Sequence, residues 1–170
     1  MPNWVEGKLK VRGKPEDIGK WATECLHCYI TRWIGNEPQT EIAEKAIRFE
    51  HEPSGDEMYL NVDRTAYIEG TERNFIEEGF YNNLCKEDGK STLVVRMKAA
   101  WGIEVGPYIE MSKKYNLDFR VYGYECGMEF NQEIEIIKGE TTINREIEFE
   151  DYCWECPDPM LGGGRKERKP

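Results

Sequence analysis

Residues 5–11, VEGKLKV, alternate apolar or small side chains with charged ones. Val5, Leu9 and Val11 fall on one side of an extended chain, and the glutamate and the lysines fall on the other. A period of two residues is typical of a β-strand with one buried face. The stretch therefore predicts a first strand, which Gly13 ends.

Two segments have the spacing of amphipathic helices. Pro15 stands in a first turn, where helices accept proline, and a stripe at intervals of three and four residues follows it. That stripe consists of Ile18, Trp21, Ala22 and Cys25. In GPYIEMSKKYN (106–116), the equivalent stripe is Tyr108, Met111, Ser112 and Tyr115. We expect a helix at each place.

Further short strands are predicted along the rest of the chain. They are AIRFEHE (46–52), MYLNVD (58–63), TAYIEG (65–70), STLVVRMKAAW (91–101), the alternating run from Leu117 to Tyr124, EFNQEIEIIKGE (129–140) and INREIEFE (143–150). TRWIGNEPQTE (31–41) is interpreted as an irregular connection and TERNFIEEG (71–79) as a short helix or turn. One-sided strands with two helices predict an α+β ferredoxin-like sandwich, a mainly antiparallel sheet with both helices on one face and a C-terminal β-hairpin extension.

Composition limits the class of protein. The 170 residues fit a single domain, predicted over 1–157, and the glycine-rich then basic residues 158–170 predict a disordered tail. A net charge of −10 argues against a general nucleic-acid binder. No apolar run approaches the roughly 20 residues of a membrane span, and the N-terminus lacks a signal-peptide core. We therefore expect a cytoplasmic protein with reduced thiols.

Two stretches carry a family resemblance. PNWVEGKLKVRG (2–13) and the segment from Lys98 to Glu140 resemble the YubB-type ferredoxin-like family of phage, plasmid and bacterial proteins. The matching positions are Pro2, Asn3, Trp4, Gly13, Trp101, Tyr124, Glu125 and Gly127. The resemblance implies the fold and a mobile-element origin but no reaction, and it leaves residues 30 to 90 unplaced. Accessory proteins of such elements often bind host or defence components, which favours an inhibitor or adaptor.

Two C-x-x-C pairs are the strongest candidate for a metal site. They are Cys25 with Cys28 and Cys153 with Cys156. Four thiolates can hold a structural zinc, and His27 or His51 could replace one of them. Buried unpaired thiols are the alternative, because cysteine is often a core residue. Redox chemistry is a third, although such a motif usually begins a helix and CLHC ends one.

Carboxylates alternate along the last two predicted strands. Glu129, Glu133 and Glu135 share one face, and Glu146 and Glu148 repeat the pattern. They could bind a divalent cation or hold a general acid. The alternative is pairing with basic side chains across strands. The candidates for such pairing are Lys8, Lys10, Arg12, Arg96, Lys98 and Arg120.

An open sheet face is the remaining candidate surface. Arg120, Tyr122 and Tyr124 resemble the aromatic platform of an RNA-binding sheet, but they equally suit protein contact, with Trp101 as a further anchor. We predict a non-enzymatic binding protein that docks on a host or defence protein through these residues and the acidic strands, with a homodimer as a further option. The alternatives are a metal-dependent nucleotide- or phosphodiester-acting enzyme on the acidic face, and an RNA-binding sheet.

Overall fold

The computed structural model describes residues 3–51, 58–87, 90–125 and 127–156. The helices of these residues are α1 (Pro15–Cys25), α2 (Val105–Tyr115) and α3 (Tyr152–Glu155). The strands are β1 (Trp4–Gly13), β2 (Leu26–Ile34), β3 (Glu37–Ile42), β4 (Ile47–His51), β5 (Met58–Val62), β6 (Ala66–Ile68), β7 (Asn74–Ile76), β8 (Gly79–Glu87), β9 (Lys90–Ala100), β10 (Asp118–Glu125), β11 (Phe130–Ile137) and β12 (Glu140–Glu148).

The architecture is a large antiparallel sheet, so the predicted ferredoxin-like sandwich is wrong. Nine of the described strands follow one another in the order β12-β11-β10-β1-β9-β7-β6-β2-β3, and β8, β5 and β4 branch from that path. The difference arises between residues 26 and 87, where seven strands form. Each of these short strands pairs with a neighbour, so the sheet extends far beyond the two 11-residue helices.

Strand β1 lies at the centre of the sheet, between β9 and β10. Its inward side chains, Val5, Leu9 and Val11, are buried, which confirms the alternation predicted from VEGKLKV. Gly7 faces Gly123 across the β1–β10 ladder. A Cβ at Gly7 would overlap the backbone of Tyr122, so this close approach of the strands requires glycine.

The two long helices cover the inner face of the central strands. Both predicted stripes are buried, which confirms the helix positions. Trp21 of α1 packs edge-on against Phe119 of β10, at 5.8 Å between ring centroids, and its indole nitrogen donates to the sulfur of Met111 in α2 at 3.3 Å. Asn116 ends α2 in the left-handed conformation, with φ of 55°. These contacts fix the helices on one side and leave the other side of the central strands uncovered by them.

The sheet divides at β9. Along one edge β9 pairs with β1, and along the other it pairs with β7 near its C-terminal end and with β8 near its N-terminal end. The first branch continues through β6 to the hairpin of β2 and β3, whose turn contains Gly35 at φ of 65°. The second continues to β5 and β4, where Phe49 lies against α1 at Gly19. The predicted irregular segment 31–41 is therefore a hairpin, and the segment 71–79 contains strand β7.

The C-terminal described segment folds back over the sheet. Phe149, Tyr152 and Cys156 pack on Tyr124 of β10, in a cluster separate from the main core. This cluster covers one end of the face opposite the helices. The predicted tail, 158–170, lies outside the described residues. Among the described helices, none has both the length and the apolar character needed to cross a membrane.

Candidate functional site

The face opposite α1 and α2, here called the outer face, contains a cavity of about 660 Å³. The ladders of β1 with β9 and β10 align its side chains in rows, because residues two apart on a strand point to the same side. We call it the outer cavity. Its lining residues are Glu6, Gly7, Lys8, Lys10, Glu77, Arg96, Met97, Arg120, Tyr122, Tyr124 and Glu133.

This cavity contains two pairs of like-charged residues, and the two residues of each pair lie directly opposite each other on neighbouring strands. Lys8 faces Arg96 across the β1–β9 ladder, and Lys10 faces Arg120 across the β1–β10 ladder. Like charges at directly opposite positions destabilise a sheet. Within the described part of the chain, Lys8, Lys10 and Arg96 form no ion pair, so their charge is not compensated there. The three side chains together form a cationic wall suited to an anion.

Two carboxylates border this cationic wall. Glu6 precedes Lys8 on the outer face of β1, and Glu77 follows β7 beside Arg96. Burial raises the pKa of Glu6, Glu77 raises it further by repulsion, and Lys98 partly offsets both effects. The protonation state of Glu6 therefore adjusts the net charge of the cavity.

Two carboxylates of the predicted acidic surface, Glu133 and Glu135, are paired with arginines. Glu133 accepts from Arg120 Nη2 at 2.7 Å and from Arg145 Nη2 at 2.6 Å, and only 8% of its side chain is exposed. Hydrogen bonds from Arg120 and then Arg145 hold its pKa below the ordinary value. Glu135 forms an ion pair with Arg120 at 3.4 Å and accepts from Thr142 at 2.8 Å. Cross-strand pairing is confirmed for Arg120, whereas the role of Arg145 was not predicted.

The remaining predicted contact residues occupy different places. Tyr122 lines the outer cavity and accepts a hydrogen bond from Asn131. Tyr124 also lines it but is buried beneath the C-terminal cluster. Trp101, 66% exposed, follows β9 and is not among the lining residues. Glu129 lies in the turn before β11, at φ of 59°, and not on the strand. The structure therefore brings Arg120, Tyr122, Tyr124 and Glu133 together at the outer cavity, with Glu135 paired to Arg120, and places Trp101 and Glu129 outside its lining.

The cysteines of the two C-x-x-C pairs lie in separate clusters. Cys25 and Cys28 are in the main core, and the Cys25 thiol donates to the Tyr115 hydroxyl at 3.2 Å. Cys156 is buried beside Asn131 in the C-terminal cluster, and Cys153 is exposed. Burial raises the pKa of Cys25 and of Cys28.

No three histidine, cysteine or acidic side chains of the described residues converge as a metal-ligand group. His27 adds no ligand to the cysteines among the residues that the structure describes. His27 lies 2.6 Å from a carboxylate oxygen of Glu69, and the side chain of His51 lies outside the described part. The structure does not bring the two cysteine pairs together, and the zinc site stays a prediction.

An aromatic row that the sequence interpretation missed crosses the outer face from β2 to β1. Its members are His27, Tyr29, Tyr67, Phe75 and Trp4, with ring centroids 5.8 to 6.5 Å apart from one member to the next. Arg73 and Lys98 each lie 5.5 Å from the Trp4 ring. Two of its rings, Tyr67 in TAYIEG and Phe75 in TERNFIEEG, could have been predicted as outward side chains if the second segment had been recognised as a strand.

Comparison with protein-family models, with curated proteins and with solved structures gives no match for this chain. The resemblance to the YubB-type family therefore stays a prediction.

Proposed function

We propose that this chain is a binding protein, not an enzyme, and that the outer cavity holds an anionic group of its partner. The observation that carries the proposal is the Lys8–Arg96 pair on neighbouring strands, for which the described residues supply no ion pair. Such a pair lowers the stability of the sheet, so its presence is best explained by a ligand that supplies the opposite charge.

The chemistry of the wall favours binding over catalysis. An ammonium and a guanidinium group recognise carboxylate or phosphate oxygens by charge and by hydrogen bonds. Beside these groups on the floor of the cavity, Tyr122 is fixed by Asn131 and Arg120 is fixed by Glu133. An anion would therefore bind on a rigid surface, and the entropy cost would fall mainly on ordering the exposed side chains of Lys8 and Arg96.

Enzymatic use of the acidic face has less support. A metal-dependent hydrolase needs carboxylate oxygens free to bind the cation. Of the five carboxylates predicted for that role, Glu133 and Glu135 are bound by arginines.

The resemblance to mobile-element proteins supplies the rest of the proposal. In this view the partner is a host or defence component, and the protein acts by occupying it. This differs from the prediction made from the sequence in the sign of the contact charge. The partner would offer an anionic group to a cationic cavity, whereas acidic strands offered to a basic groove were expected.

Isothermal titration with inorganic tripolyphosphate tests the proposal. The double variant Lys8→Gln, Arg96→Gln removes two cations of the wall, and we expect its affinity to fall at least about tenfold, or about 1.4 kcal/mol. The double variant Lys14→Gln, Lys20→Gln removes the same charge at exposed positions at the start of α1 and within it. Equal affinities for the two variants, or no binding by the wild type, would overturn the proposal.

A further inference from the structure

The aromatic row and the outer cavity belong to one continuous surface. His27, Tyr67, Phe75, Lys98 and Glu6 are successive register partners across β2, β6, β7, β9 and β1. Glu6 already lines the outer cavity, and Lys8 is the next outward residue on the same strand. A ligand lying along the rings therefore reaches Lys98 and Glu6, beside the cationic wall.

We propose that this surface binds single-stranded nucleic acid, with bases stacked on the aromatic row and phosphates held by the cationic wall. This inference rests on the proposed function, since it assigns a chemical class to the anionic partner. Aromatic rings that stack bases beside a cationic track are the combination that single-strand binding requires.

The spacing of the rings favours an extended strand. Neighbouring centroids lie 5.8 to 6.5 Å apart, whereas nucleotides in a duplex strand rise by about 3.4 Å. A strand that follows the row would have its bases separated from one another, so that each base meets a protein ring. A duplex cannot use the row, because its bases are already stacked and paired.

The rings are held in position before any ligand arrives. The Tyr67 hydroxyl donates to the Thr71 carbonyl at 2.5 Å, and His27 lies against Glu69 at 2.6 Å. Trp4 is flanked by the two cations Arg73 and Lys98. Tyr29, 46% exposed, and the half-buried Trp4, Tyr67 and Phe75 retain surface on which a base can lie.

Charge restricts a polyanion to one part of the surface. The whole chain carries a net charge of −10, which repels a phosphate backbone over most of its surface. The exception is local, where Lys8, Lys10 and Arg96 stand together. An acidic peptide would satisfy these cations but would leave the aromatic row unused, so the combined surface fits nucleic acid better.

Fluorescence anisotropy with a short labelled oligothymidylate tests the inference. Tyr67→Leu and Phe75→Leu keep an apolar side chain and remove a ring, and we expect each to weaken binding about tenfold, within the range seen for loss of one base–ring stack. Phe49→Leu makes the same kind of change on β4, against α1, and should leave binding unchanged. Tripolyphosphate affinity should be the same in all three variants, and thermal melts confirm that each is folded.

The outcomes separate the two proposals. If the ring variants bind oligothymidylate as the wild type does, or if a duplex of equal length binds as tightly, the inference is overturned. A glutamate-rich peptide of matched charge that binds while oligothymidylate does not also overturns it, and the proposed anion-binding function stands. If tripolyphosphate, peptide and oligothymidylate all fail to bind, both proposals are overturned.

Discussion

Glu133 and Arg145 are joined by two hydrogen bonds that end on one carboxylate oxygen, Oε2 of Glu133, at 2.9 Å from Nε and 2.6 Å from Nη2. Arg120 binds the other oxygen from the opposite side. A carboxylate on β11 thus links the strands on both sides of it, β10 and β12. This three-strand link holds Arg120 and Glu133 at the lining of the outer cavity, and it connects the stability of the sheet to pH.

Glu133→Gln should lower the free energy of unfolding by about 1 to 3 kcal/mol near neutral pH, because two charge-assisted interactions become weaker. The half-exposed arginines keep the loss at the lower end of that range. The pKa of Glu133 is lowered in the folded protein, so its contribution is present above the ordinary value of 4.5 and is lost as pH falls through the folded value.

Urea unfolding of wild type and Glu133→Gln near pH 7 and near pH 3 measures this difference. Glu146→Gln is the matched control, since Glu146 is exposed on β12 and has no ion pair among the described residues. A difference between wild type and Glu133→Gln that does not shrink in acid would contradict the assignment.

Glu6→Gln should strengthen anion binding at neutral pH. The ionised carboxylate of Glu6 would repel an anion in the outer cavity. Burial and the charge of Glu77 raise the pKa of Glu6. Wild-type affinity for tripolyphosphate should therefore increase as pH falls through the raised pKa, and this increase should be smaller in Glu6→Gln. Titration calorimetry near pH 7 and near pH 5 checks it, with Glu16→Gln, in the first turn of α1, as control.

Glu6→Gln should also make the folded protein more stable at neutral pH. A carboxyl whose folded pKa is raised binds more protons in the folded state than in the unfolded state between the two values. Stability is therefore lost as pH rises through that window, and Glu6→Gln should be the more stable protein above it. A variant less stable than wild type at neutral pH would show that the Glu6 carboxylate has a favourable partner.

Lys8→Thr should raise the free energy of unfolding by about 0.2 to 1 kcal/mol, because it removes a like-charged pair with Arg96. Arg12→Thr, on the same face of β1, should have the opposite effect. Arg12 forms an ion pair with Asp118 at 3.1 Å, and this pair would be lost. Chemical denaturation of both variants measures the difference. If both changes destabilise the protein equally, Lys8 is not repelled by Arg96, and this result would contradict the proposed anion-binding role of the pair.

Iodoacetamide should modify Cys153 before Cys25 and Cys28. Cys153 is exposed, whereas the other two are buried and their pKa values are raised, which leaves less thiolate to react. Mass spectrometry of peptides after short exposure gives the order, and Cys153→Ser should abolish the first modification. Zinc held by all four sulfurs would protect them together, so slow modification of Cys153 in a zinc-containing sample would support the metal prediction.

Elements with one buried face could be predicted from the sequence. VEGKLKV and the two helical stripes have the period of their structure because one side of each packs in the core, and all three predictions are confirmed. The hairpin of β2 and β3 could not be recognised in this way, since residues 31 to 42 are all exposed and neither face of the hairpin is buried there. Without a buried side there is no alternation to detect.

The site was predicted only in part for a related reason. Sequence places Arg120, Tyr122 and Glu133 on outward positions of their strands, and the structure agrees. It does not determine which strand lies beside which, or in what register, and a shift of one residue would exchange the two faces. The opposition of Lys8 to Arg96, about ninety residues apart in the chain, depends entirely on that register.

The division of the sheet at β9 has a consequence for local unfolding. The branch that ends in β3 joins the centre through the short strands β6 and β7, whereas β1 pairs with β9 over almost its full length. Native-state hydrogen exchange should therefore find low opening free energies for the amides of β3 and outer β2, and values near global unfolding for β1. Opening of that branch would carry Tyr29 away from Tyr67. The number of rings available to a ligand would then depend on a local equilibrium that temperature and mild denaturant can shift.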